Sequence, residues 1–159
     1  MRSHPWFSAA VLMVALVGWS GISAADVSKS VIAAFRGELV VTKGDLPEGK
    51  NEKDTISKIK AERLKELEGE PKGTSMGWHF HYTAFLSKPG ATKLTLEFYT
   101  SDKKLVANNQ LEGVDPKLTV LSGDISIDED DGLTKGKAYT LKLVTDKNAV
   151  VASAPLVMK

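Results

Sequence analysis

Over most of this chain apolar and polar residues alternate with period two, the spacing that puts successive side chains on opposite faces of a strand. Trp78, Phe80, Tyr82, Ala84 and Leu86 share one parity of the segment 78–86, the most β-prone stretch in the sequence. Over 92–100, Leu94, Leu96 and Phe98 alternate with Lys93, Thr95, Glu97 and Tyr99. Ser101-Asp102-Lys103-Lys104 then turns the chain into a short strand over 105–108. The same alternation predicts strands over 33–42 (Phe35, Gly37, Leu39, Val41), 118–127 and 139–145. Gly123 marks a bulge in the second of these. A last strand runs over 150–158, with Pro155 at an edge position. About seven strands joined by short turns predict an all-β sandwich.

One segment breaks this rhythm. Ile56, Ile59, Leu64 and Leu67 recur at helical spacing behind Asp54, a good N-cap, and Gly69 and Pro71 end the run. The spacing predicts a helix over 54–68, inserted into the sandwich. Its four apolar residues suit either docking on the sandwich or binding a partner.

The stretch Leu133-x-x-Gly136-x-x-Tyr139 opens the strand at 139. It resembles the tyrosine corner of immunoglobulin-like and fibronectin type III sandwiches, in which a tyrosine hydroxyl reaches back to upstream backbone. The resemblance implies a Greek-key, immunoglobulin-like fold and says nothing of function, since such sandwiches host many activities.

The first residues carry a different signal. Arg2 and His4 precede an apolar run from Trp6 to Trp19, and Ser23-Ala24-Ala25 supplies small residues before a cleavage point. This is the pattern of a secretory signal peptide over 1–25, leaving one β-sandwich domain over 26–159. The absence of cysteine fits an exported bacterial protein, periplasmic or secreted, better than a small disulfide-rich eukaryotic domain. No further apolar segment is long enough to span a membrane in the mature form. The 21 basic residues, Arg2 among them, nearly balance 20 acidic ones. That argues against nucleic-acid binding and against electrostatic docking on a membrane.

Candidate chemistry is sparse. His79 and His81 project from one face of their strand, close enough to ligate one zinc or copper ion, with Met76 as a soft third ligand or Glu97 brought in by the fold. Asp124 and the run Asp128-Glu129-Asp130-Asp131 are rich in oxygen, as calcium requires. The spacing fails the EF-hand: with Gly132 as the sixth loop residue, Ile127 and Ala138 stand where acids belong. There is no Gly-x-Ser-x-Gly, no cysteine nucleophile, no His-Glu-x-x-His and no phosphate loop. Phe85 and Tyr99, both on solvent-side parity, are either a recognition patch or the floor beneath the helix. The expectation is a non-catalytic module without a cofactor that binds a protein or envelope component. The alternative is periplasmic metal binding through His79 and His81.

Overall fold

The computed structural model describes residues 27–159, so the leader expected over 1–25 lies outside the described residues. The domain is an all-β sandwich with a small helical part. Its described elements are helix α1 (Lys29–Phe35), β1 (Leu39–Thr42), α2 (Glu52–Glu62), β2 (Glu66–Leu67), β3 (Glu70–Lys72), β4 (Ser75–Phe85), β5 (Leu94–Thr100), β6 (Leu105–Leu111), β7 (Val120–Asp128), β8 (Ala138–Thr145) and β9 (Val150–Met158).

In one sheet the long strand β4 is central. β7 runs antiparallel along one of its sides, while β1 and β3 share the other. The second sheet has the order β2-β9-β8-β5-β6, antiparallel except for the β2–β9 pair, which is parallel. Between the sheets lies the main core, with Trp78, Phe80, Tyr82, Leu96, Phe98, Leu141, Leu143 and Leu156 buried in it.

A second, smaller core lies on the outer face of β4. Val31 and Phe35 of α1 and Ile59 of α2 pack with Leu46 on Val40, Phe85 and Val120. The rings of Phe35 and Phe85 are 5.3 Å apart. The protein is therefore layered as helices, sheet, sheet. This accounts for the burial along β4: Ser75 to Gly77 are half-buried and His79 is exposed, whereas every residue from Phe80 to Phe85 is buried because both faces are covered there.

Several expectations need correction. Residues 33–35, expected to begin the first strand, instead close helix α1; Ser28 caps it by accepting from the Val31 N–H. Helix α2 begins at Glu52 behind Asn51, whose side chain accepts from the Asp54 N–H at 2.9 Å. It stops at Glu62, six residues before the expected end, because the chain turns extended at Arg63 and Leu64 donates to the Val41 carbonyl. Leu67 is buried in the main core as part of β2, paired with Met158. Gly123 is not a bulge; it pairs in register with Tyr82. A Cβ there would lie 2.9 Å from the Tyr82 hydroxyl, so the ring takes the space a side chain would need. The short strands β2 and β3 raise the count to nine strands among the described residues. Pro155 sits in β9 where β2, which reaches only Val157 and Met158, leaves the far side of the strand unpaired by its ladder.

Candidate functional site

The two outer sheet faces differ, and the candidate residues divide between them. On the outer face of β4, His79 and His81 stand opposite Ser126 and Asp124 of β7. His79 is exposed, and its Nδ1 lies 2.8 Å from the Ser126 hydroxyl. His81 is buried, and its Nδ1 lies 3.1 Å from an Asp124 carboxylate oxygen. The strand thus brings the imidazoles to one face, as the spacing requires, but places them in unlike surroundings. Met76 does not join them. It belongs to the parity of Trp78 and packs against the main core, on the other side of the sheet. Glu97 lies in the second sheet, bonded to Tyr99. Among the described residues, no three His, Cys, Asp or Glu side chains are grouped to hold a metal ion.

The Ser126–His79 contact has the composition of a nucleophile and its base. A working pair needs a third group to orient the base. Asp124 bonds His81 instead, and among the described residues no carboxylate is bonded to His79. These two side chains border an open groove of about 720 Å³ that Lys43, Pro71, Lys72 and Trp78 also line.

The acidic run is engaged within the protein. Asp128 caps the 3-10 turn Glu129–Asp131 and bonds Lys72 at 3.0 Å, and Glu129 accepts from the Met76 N–H. The Lys72 ammonium holds the Asp128 carboxyl below its usual range. These bonds engage Asp128 and Glu129, Asp131 accepts from the Asp128 N–H, and Asp124 is turned to His81.

The stripe on the insertion is likewise consumed. Ile59 is fully buried against the sheet, Ile56 packs beside it, Leu67 is in the sandwich, and Leu64 packs against the main core. Ile59 and Leu67 are buried and Ile56 and Leu64 partly so, which leaves the insertion little free apolar face made of these four residues. Phe85 lies under the helices, whereas Tyr99 does not.

Tyr99 is on the outer face of the five-stranded sheet, away from the helical layer. Cross-strand pairing sets Asn108, Glu97, Lys142 and Ser153 in one row across β6, β5, β8 and β9. Tyr99 donates its hydroxyl proton to Glu97, and the Lys142 ammonium stands 4.6 Å from the centre of its ring. The bond to Glu97 raises the phenol above its ordinary value, with desolvation second. The hydroxyl is bonded and the ring face is covered by Lys142, so less rotamer freedom remains to be lost when a partner docks. Lys142 and Ser126 were missed in the sequence, as was the pairing of Asp124 with His81, because these roles come from ladder partners far away in the chain.

At the corner, the Tyr139 hydroxyl accepts from the Thr134 N–H at 2.8 Å, Leu133 and Tyr139 are buried, and Gly136 has a positive φ of 86°.

No family model and no curated protein matches the chain. Solved structures with partial likeness include a β-glucuronidase of Bifidobacterium dentium complexed with coumarin-3-O-glucuronide, at 10% identity and a TM-score of 0.35, covering 76% of this chain and 16% of that one. A β-glucosidase of Kluyveromyces marxianus in complex with glucose has 10% identity and a TM-score of 0.30, covering 59% and 14%. The chain spans less than a fifth of either structure, and likeness of this extent carries no argument about fold or activity.

Proposed function

We propose that this chain is an exported, non-catalytic, immunoglobulin-like module that binds a protein or cell-envelope partner through the uncovered face of β9-β8-β5-β6. The observation that carries the reading is the contrast between the two outer faces. One is covered by the helices over Val40, Phe85 and Val120; the other carries Tyr99 between Glu97 and Lys142. A tyrosine so placed beside paired charges has the chemistry of a protein-contact surface. Only Leu105 and Val150 are exposed large hydrophobics among the described residues, so the contact would be polar and aromatic rather than a broad apolar patch. The order of the antiparallel strands, with β2 parallel to β9, supports the immunoglobulin-like assignment alongside the tyrosine corner. The leader pattern at 1–25 supports export. The test is affinity capture from the native envelope with the wild type and with Lys142→Glu. A partner retained by the first and lost by the second supports the reading; equal capture refutes it.

One observation favours the metal-binding alternative. Asp124 sits behind Nδ1 of His81, as a carboxylate does behind many metal-ligating imidazoles. Against it stand the separation of Met76 and the unlike exposure of the two imidazoles.

A further inference from the structure

Three buried side-chain atoms have no hydrogen-bond partner among the protein atoms: His81 Nε2, Thr83 Oγ1 and Ser122 Oγ. They are not scattered. Thr83 and Ser122 are direct partners in the β4–β7 ladder, and His81 is two residues from Thr83 on the same face. Directly opposed residues have Cβ atoms about 5 Å apart, and the next residue on the same face follows at about 7 Å. All three therefore belong to one small patch on the outer side of the sheet. Its next neighbour on β4 is Phe85, beneath the helices.

Leaving three such atoms unpaired would be costly, because each has given up its bonds to water. The chemistry of the patch says what completes it. A carboxylate can only accept, so Nδ1–H of His81 donates to Asp124; in the neutral ring Nε2 then carries the lone pair and needs a donor. The two hydroxyls each donate once and accept besides. A water molecule fits this set: it donates to the imidazole and exchanges hydrogen bonds with the hydroxyls, reaching the roughly three bonds usual for buried water. A cation fits poorly, since one imidazole and two neutral hydroxyls do not make a metal shell.

We propose that His81, Thr83 and Ser122 form an internal hydration site between the β4–β7 face and its cover, holding ordered water that bridges Nε2 to the two hydroxyls. His81 and Thr83 are 3% and 0% exposed, so this water exchanges only when the cover opens. The patch continues outward through the Asp124–His81 and Ser126–His79 pairs to the groove, a lane of polar side chains along one face. The site is independent of the binding face on the other sheet, and failure of either idea leaves the other standing.

The experiment is oxygen-17 water relaxation dispersion on the wild type and on Thr83→Val/Ser122→Ala. The wild type should show long-lived internal water, and the double variant should show at least one such molecule fewer. Identical dispersion amplitudes would overturn the proposal. A high-resolution crystal structure of the wild type decides the matter if the double variant does not fold. Density within hydrogen-bond distance of Nε2 and of at least one hydroxyl supports the site. A metal ion there, or the three atoms satisfied by protein groups alone, overturns it.

Discussion

The phenol oxygen of Tyr139 accepts the backbone N–H of Thr134, five residues upstream, at 2.8 Å. The bond ties the first turn of β8 to the loop that delivers it, and the ring is 3% exposed. Tyr139→Phe keeps the ring and orphans the Thr134 N–H. Urea unfolding should show a loss of about 0.5–1.5 kcal/mol, the net worth of an ordinary hydrogen bond, because Thr134 is exposed and its freed N–H can turn to water. A change near zero would mean that the bond does not hold the corner.

Ile59 is the α2 side chain that is fully buried, and it meets Val40, Phe85 and Val120 through the small core. Ile59→Ala should cost roughly 2–5 kcal/mol, the range for truncating a buried isoleucine. It should lower the midpoint of the whole domain rather than melt the helix alone. A melting curve unchanged from the wild type would put the helix outside the cooperative unit.

Tyr82 supplies a prediction at high pH. Burial, with the Asp124 charge second, pushes its phenol up to about 12 from an ordinary 10.0. The folded state therefore keeps its proton where the unfolded state loses it. The contribution to stability is full below pH 10 and declines between about pH 10 and 12, with a slope of at most ~1.4 kcal/mol per pH unit. Lys72 and Lys159, both raised by carboxylate partners, add to the decline at high pH. Tyr82→Phe isolates the tyrosine term: the variant should lose stability less steeply over that interval. Parallel curves would contradict the assignment.

For the imidazoles the account predicts no saturable micromolar binding of Zn²⁺ or Cu²⁺ by tag-free protein, because Met76 lies on the far side of the sheet and His81 is buried against Asp124. Calorimetric titration checks this beside His79→Ala/His81→Ala. A tight site that vanishes in the double variant would promote the metal reading over the binding module.

Period-two alternation made the strand expected over 92–100 legible, because Leu94, Leu96 and Phe98 face the core and Thr95, Glu97 and Tyr99 do not. The helix at 52–62 was legible in kind but not in length. Leu64 and Leu67 fit helical spacing, yet Leu67 pairs with Met158, a partner that local pattern cannot reveal. Residues 33–35 misled for a related reason: Phe35, Leu39 and Val41 share a parity, while Ser28 with Val31 and Phe35 carries the weaker helical signal that prevailed. The face of the histidines was readable from parity. The burial of His81 was not, since it depends on a cover supplied from elsewhere in the chain. The Tyr99 site was half legible: the ring was on an outer parity, but Lys142 reaches it only through the β5–β8 ladder.

The central claim is that the partner meets the five-stranded sheet and not the helices. Site-specific photo-crosslinking in the native envelope tests it directly, with a photoreactive residue placed in turn at Thr95, Thr140 and Ser153 on the sheet face and at Lys53 and Lys60 on the exposed side of α2. The account predicts one common adduct from the sheet positions, abolished by Lys142→Glu, and none from the helix. Adducts from the helix alone, or sheet adducts indifferent to Lys142→Glu, would contradict it.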